Sequence, residues 1–300
     1  MTAQTGTAGA TTSTTTTSTT TTSTTTTGTT TATPEDTALK AAHRALWALG
    51  DYPAVASEVI AALGHRLVAA AGIGPGHRVL DVAAGSGNVA IPAAAAGADV
   101  VASDLTPELL EAGRSAARDA GIELTWEVGD AERLPYDDAT FDAVTSCVGV
   151  MFAPHHQPAA DELLRVTRPG GTVALVSWTP AGFIGQMFAT MKPYAAPPPP
   201  GAQPPPLWGD EDHVRALFGD RVTSLEAVRE ELPVDRFADG SEFRDFFKAY
   251  YGPTIATYRR IADDAAQVTA LDAALAELGD RHLDGGVMPW EYLLVTATRR

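Results

Sequence analysis

Asp81 is followed by two spaced glycines, Gly85 and Gly87, and the residues around the acid are apolar: Val79, Leu80 and Val82. Such an apolar, β-branched run predicts a buried parallel strand. The small residues beyond it end the strand. Glycines at 85 and 87 can take positive φ and let a ligand lie against bare backbone. Asn88-Val89-Ala90-Ile91 then opens an alanine-rich helical stretch. A strand, a tight turn and a helix start place free backbone N–H groups at a strand's carboxyl end, where open α/β sheets bind their ligands. The chemistry to expect here is the holding of a nucleotide-like group.

Two such ligands fit a turn of this kind. Gly85-x-Gly87-x-x-Ala90 satisfies the dinucleotide pattern G-x-G-x-x-G/A, with Asp104 at a suitable distance beyond it. Asp81 argues the other way. A carboxylate this close repels a pyrophosphate but suits a ligand with an ammonium group and a sulfonium cation. The electrostatics favour S-adenosyl-L-methionine over NAD. A turn without any ligand is a third alternative, though an acid and two glycines are a costly way to make one.

The elements that position this turn follow in alternation. Asp99 to Asp104 reads as a second strand, and Thr106-Pro107-Glu108 starts a helix with cap, N1 proline and first-turn acid in place. Ile122 to Val128 and Phe141 to Val148 read as the third and fourth strands, Pro158 to Val166 as a helix, and Thr172 to Trp178 as the fifth strand. Strand alternating with helix predicts right-handed crossovers and an α/β, doubly wound, mostly parallel sheet. Upstream, Ala38 to Leu49 and Tyr52 to Ala71 read as two helices, and helices leading into a first strand often cover a ligand site. Trp47 is expected to be ordinary packing. Downstream, Phe183 to Met191 is a short helix, and the prolines of 195–206 predict an extended strap across the sheet's carboxyl edge. Val222 to Pro233 reads as a sixth strand, too charged to be central. Ser241 to Tyr251 and Pro253 to Leu278 read as helices. Trp290 to Thr298 alternates cleanly and is expected as an antiparallel last strand at or near an edge, which leaves a homodimer open beside a monomer.

Residues 1–33 are almost entirely threonine with some serine, alanine and glycine. They cannot bury enough surface to offset their ordering entropy and are expected to be a disordered tail. The domain proper is then 34–300, with a core at 77–180 and a substrate-covering insertion at about 181–219. The net charge of −16 disfavours nucleic acid and anionic membrane surfaces as partners. The single cysteine, Cys147, rules out an internal disulfide and a cysteine-based zinc site, which fits a cytoplasmic protein. No apolar run is long enough to span a bilayer, and the start lacks the charged and apolar regions of a secretory signal.

Five short segments together resemble the class I S-adenosylmethionine-dependent methyltransferases, and most of all the bacterial ubiquinone/menaquinone group. They are Leu-Asp-Val-Ala-Ala-Gly-Ser-Gly (80–87), Ala-Ser-Asp-Leu-Thr-Pro-Glu-Leu-Leu (102–110), Gly-Asp-Ala-Glu-Arg-Leu-Pro-Tyr (129–136), Phe-Asp-Ala-Val (141–144) and Arg-Pro-Gly-Gly-Thr (168–172). The family's glycine motif usually reads D-x-G-x-G-x-G, and here Ala83 stands at its first glycine. The resemblance implies a Rossmann-like methyltransferase fold with S-adenosyl-L-methionine as cofactor. It implies that Asp81 faces the methionyl ammonium group, that Gly85 and Gly87 let the ligand lie against backbone, and that Asp104 accepts both ribose hydroxyls. Leu105 would pack on the adenine, Asp130 would accept from its exocyclic amine, Ala131 N–H would donate to its ring, and Cys147 would line the methionine end by its backbone.

The acceptor is expected to be a small apolar or aromatic metabolite, because Met151, Phe183, Tyr250 and Tyr251 fall among the aromatic and apolar residues flanking the expected site. Methyl transfer from a sulfonium is an in-line displacement that needs a base only if the nucleophile still holds its proton. His155 and His156, just past the fourth strand, are candidates for that base, and no metal is called for. His43, His65, His77 and His282 read as surface or packing residues. Two alternatives stand beside this: an NAD(P)-dependent oxidoreductase using the Gly85/Gly87 turn, and a non-catalytic adenosylmethionine-binding fold.

Overall fold

The computed structural model of the protein describes residues 1–9 and 34–300. Most of the threonine-rich tail therefore lies outside the described residues. The chain order is α1 (Pro34–Trp47), α2 (Tyr52–Glu58), α3 (Ala61–Ala70), β1 (Arg78–Val82), α4 (Ala90–Ala95), β2 (Asp99–Asp104), α5 (Pro107–Asp119), β3 (Thr125–Val128), β4 (Phe141–Cys147), α6 (His156–Val166), β5 (Thr167–Trp178), α7 (Phe183–Met191), α8 (Glu211–Phe218), β6 (Val222–Val234), α9 (Gly240–Tyr250), α10 (Gly252–Arg260), α11 (Ala265–His282) and β7 (Met288–Arg299).

The seven strands form one sheet in the order β3-β2-β1-β4-β5-β7-β6. The first five run parallel, and β7 pairs antiparallel with both β5 and β6. The α/β doubly wound sheet is as expected, and the antiparallel last strand lies near an edge, one place in from it. Four successive residues of β7, Tyr292 to Val295, are buried, which requires cover on both faces. The edge is β6, whose charged Glu226, Arg229, Glu230 and Glu231 suit solvent and blunt edge-to-edge pairing.

Two expected long helices are broken. Between α2 and α3, the Ile60 carbonyl accepts the Leu63 N–H at 3.0 Å to open α3 and also accepts from Asn88 Nδ2 at 3.2 Å, which ties the break to the turn beyond β1. Before α11, Asp264 accepts from the N–H groups of Ala266 and Gln267, both at 3.1 Å, and so starts a new helix. The proline-rich segment is a strap over the start of α6: Gln203 N donates to the Pro154 carbonyl at 2.9 Å, and Gln203 Oε1 accepts from His156 N. No helix among the described residues is long and apolar enough to cross a membrane.

Candidate active site

A cavity of about 670 Å³ opens at the carboxyl ends of the parallel strands. The residue just past each of β1, β2, β3 and β4 lines it: Ala83, Leu105, Gly129 and Val148. The outer wall comes from α1 and α2, through Lys40, His43, Trp47 and Tyr52. The remaining wall is Val148 to Val150 and Phe152 to Pro154.

Asp104 organises the floor. Its Oδ2 accepts from Gly85 N and its Oδ1 from Thr106 N, both at 2.8 Å, so one carboxylate at the end of β2 ties down the glycine turn after β1. Burial raises its pKa, and the hydrogen bonds from Thr106 and Gly85 oppose that shift. Gly85 sits at φ +55°, and a Cβ there would fill space 3.6 Å from the Tyr52 ring. Gly87, at φ +89°, lies deeper: a Cβ would come within 2.6 Å of Trp126. It serves the packing of the turn and does not line the cavity. Ala83 adopts φ +53° and Val148 φ +44°, two non-glycine residues held in the left-handed region beside the same cavity.

Asp81 lies behind this floor. Its Oδ2 accepts from Ala90 N at 3.0 Å and its Oδ1 from Thr145 Oγ1 at 3.1 Å, which anchors α4 and β4 to β1. It is 1% exposed and does not reach the cavity wall. Burial pushes its pKa up to about 7.

Asp130 and Ala131 line the cavity past β3. Asp130 Oδ1 accepts from Lys40 Nζ at 3.0 Å and from Glu132 N at 3.0 Å. Lys40 also pairs with Glu132 at 2.7 Å. The first helix is thus clamped across the cavity mouth by a lysine shared between two acids.

A family described as Methyltransferase domain matches residues 79–171, the span that carries this floor. The chain belongs to the class I S-adenosylmethionine-dependent methyltransferases. The sheet order and this match leave no support for the nicotinamide oxidoreductase alternative. An uncharacterised protein of Mycobacterium tuberculosis is 53% identical over 266 residues, 89% of this chain and 97% of its own. A demethylmenaquinone methyltransferase of a Mycobacterium sp. (strain KMS) is 42% identical over 124 residues, 41% of this chain and 50% of that protein. Among solved structures, the Bacillus YcgJ protein shares the fold at TM-score 0.54 and 20% identity, covering 79% of this chain and 97% of that one. Geranyl diphosphate C-methyltransferase from Streptomyces coelicolor, solved with S-adenosyl-L-homocysteine, shares it at TM-score 0.50 and 17% identity, covering 80% and 76%.

In this methyltransferase neither expected histidine lines the cavity. His155 turns to Glu132, donating its backbone N–H at 2.7 Å and placing Nδ1 3.0 Å from the carboxylate. His156 is 0% exposed, with Nδ1 2.9 Å from His213 Nε2 and its ring against Trp208. Burial pushes its pKa down to about 4. His155 is the extended N-cap of α6 and His156 its first helical residue, and their rings turn to different partners. The histidine that does line the cavity is His43 of α1, its pKa lowered by burial and then by Lys40.

Cys147 is also not in the wall. Its thiol lies 3.7 Å from Asn88 Nδ2 in a half-buried position, and its surroundings raise its pKa, mainly by desolvation. The next residue, Val148, takes its expected place. Met151 and Phe183 are core residues, 0% and 1% exposed, with Phe183 stacked on Trp290. Tyr250 is exposed at 37% and packs outward on Phe246.

Tyr251 is different. It lines a second, smaller inner cavity together with Tyr52, Val55, Ile60, Val148, Phe152, Trp178, Ile184, Met187, Phe247 and Trp290. Tyr52, Val148 and Phe152 line both cavities, so these three residues form the wall where the two meet. Trp47, expected to be plain packing, touches Tyr52, Phe152 and Tyr251 edge to face and so braces that wall. The two upstream helices cover the site as expected, but which of their side chains line it is set by long-range contacts.

Proposed function

We propose that this enzyme transfers the methyl group of S-adenosyl-L-methionine to a small, uncharged, apolar or aromatic metabolite. The cofactor would occupy the outer cavity and the acceptor the inner one. The observation that carries this reading is the shared wall: Tyr52, Val148 and Phe152 border both spaces.

The residues suit the cofactor. Gly85 leaves open the space that a Cβ would fill, and Asp104 is held at the floor with a carboxylate, which has about four acceptor sites, oriented by two backbone N–H groups. Asp104 would hold the ribose diol, Leu105 and Ala131 would flank the adenine, and Asp130 would accept from its amine. Asp81 acts from behind, fixing the turn and the start of α4, and adds negative potential beneath the methionyl end when ionised. The bound cofactor supplies the electrophilic methyl group for an in-line displacement.

The chain's own contribution is position and exclusion of water. No carboxylate, histidine or lysine is among the residues of the inner wall. Burial raises the Tyr52 phenol well above its ordinary pKa, so it remains a hydrogen-bond donor at neutral pH and is unsuited to act as a base. This favours an acceptor whose attacking atom needs no base from the protein. The insertion at 181–219 contributes Ile184 and Met187 to the inner wall, in keeping with a substrate-covering role. A monomer or a homodimer in the cytoplasm fits this reading equally well.

A coupled assay for S-adenosylhomocysteine release tests it. Purified enzyme would be offered aniline and p-aminoacetophenone, neutral aromatic acceptors whose amine attacks without prior deprotonation, with benzoate and phenyl phosphate beside them. Release above the acceptor-free rate with a neutral compound, and none with the two anions, is expected. Turnover restricted to the anions would contradict the assignment of the inner cavity.

A further inference from the structure

The inner cavity is almost wholly apolar, yet one of its walls carries an unpaired donor. Trp290 is the third residue of β7 and is 1% exposed. Its ring is fixed by stacking on Phe183 at 5.3 Å and by edge contacts with Trp178, Phe243 and Phe247. Its Nε1–H is buried with no hydrogen-bond partner. Buried indole N–H groups are ordinarily paired, since burying a donor without a partner is unfavourable. A donor kept unpaired in a rigid aromatic setting at a cavity wall points to a partner that arrives with the ligand.

Two more donors lie on the same wall. Tyr251 is 5% exposed, and burial raises its phenol far above the ordinary value, so it stays protonated. Tyr52 is its tilted neighbour, with ring centroids 6.3 Å apart. Neither hydroxyl is hydrogen-bonded to another described residue. The cavity therefore offers donors, aromatic faces and aliphatic side chains, and no charge.

We infer that Trp290 is a specificity-determining residue: its indole N–H, with the Tyr251 hydroxyl, selects an acceptor molecule carrying an uncharged oxygen that accepts hydrogen bonds, such as an aryl ketone or a phenol. Carboxylates, phosphates and alkylammonium ions are rejected because no group in the wall offsets their desolvation. This rests on the assignment of the inner cavity to the methyl acceptor. The indole ring is a positioning group on the acceptor and takes no part in breaking or forming a bond.

Nuclear magnetic resonance of the ¹⁵N-labelled full chain tests this directly. The protein has five tryptophans, and the spectrum of Trp290→Phe identifies the Trp290 indole signal by its loss. Acetophenone and p-cresol are titrated in, then benzoate and benzylamine. The neutral compounds should move the Trp290 indole proton downfield and saturably, and the charged ones should leave it in place. Acetophenone affinity should fall about three- to tenfold in Trp290→Phe and in Tyr251→Phe, followed by the methyl signals of Ile184 and Met187. Equal response to charged and neutral probes, a silent Trp290 signal, or unchanged affinity in both variants would overturn the inference. S-adenosylhomocysteine is titrated into the same samples. Its failure to bind would strike the cofactor assignment, whereas its binding beside a silent Trp290 would strike only this one.

Discussion

Lys40 of the first helix and Asp130 past the third strand meet at 3.0 Å across the mouth of the outer cavity, both largely buried. The acid proposed to hold the adenine amine is therefore also the acid that clamps α1. Cofactor and helix share one carboxylate. Losing Lys40 should loosen the wall more than it weakens the floor. Lys40→Met is expected to raise the dissociation rate of S-adenosylhomocysteine several-fold, read by stopped-flow tryptophan fluorescence with Trp47 as the reporter in the wall. An unchanged rate would mean that α1 stays closed without the clamp.

Ala83 occupies a left-handed backbone position, φ +53°, that costs an L-residue about 1 kcal/mol. Glycine removes that cost and adds some freedom to the unfolded chain. Ala83→Gly should therefore stabilise the protein by at most about 0.5 kcal/mol, a rise of one or two degrees in Tm. Differential scanning calorimetry checks it. A clear loss of stability would show that the Ala83 methyl group contributes packing worth more than the strain.

Asp81 gives a pH signature. Its folded-state pKa is pushed up to about 7, mainly by burial, against an ordinary 3.8. A raised pKa means that the folded state holds the proton more tightly than the unfolded one. The associated stability is complete below pH 4 and is lost as pH rises through 7. Asp81→Asn cannot titrate. The stability of wild type minus that of the variant should fall by about 3 kcal/mol between pH 5 and pH 8, measured by urea unfolding at both values. A difference that stays level, or that grows with pH, would contradict a buried, proton-retaining acid.

His156 should show the opposite slope. Its pKa is pushed down to about 4, first by burial and then by His213. A depressed histidine contributes stability that is present above its unfolded pKa of 6.5 and lost as pH falls toward 4. Relative to His156→Phe, the wild type should lose about 2 kcal/mol between pH 7 and pH 5. Methyl transfer at neutral pH should survive the substitution, because His156 is outside both cavities. Abolished turnover in a folded variant would restore it as a candidate base.

The legible part of this molecule was the part encoded locally. Asp81, Gly85, Asp104 and Asp130 sit at strand ends whose apolar runs and turn residues are contiguous in the chain, so both the elements and the floor of the cavity could be read. Even there, direction was hidden. Asp81 and Cys147 are at strand ends yet face inward, since alternate residues of a strand point to opposite sides. The neighbouring His155 and His156 diverge to Glu132 and His213. The wall shared by the two cavities depends on long-range contacts: Tyr52 from α2 comes against the Gly85 turn, and Tyr251 comes up from the far end of α9. The alternation of β7 was visible, but its place between β5 and β6 was not, because neighbours in a sheet are set by which faces need cover.

The most direct test is calorimetric titration of the protein with S-adenosylhomocysteine, with NAD and NADP in parallel, in wild type, Asp104→Ala and Asp104→Asn. The account predicts micromolar binding of S-adenosylhomocysteine alone, weakened at least tenfold in Asp104→Ala and less in Asp104→Asn, which retains one acceptor oxygen for the diol. Binding of S-adenosylhomocysteine that is indifferent to both substitutions, or no binding beside clear uptake of NAD or NADP, would contradict the placement of the cofactor on the Asp104 floor.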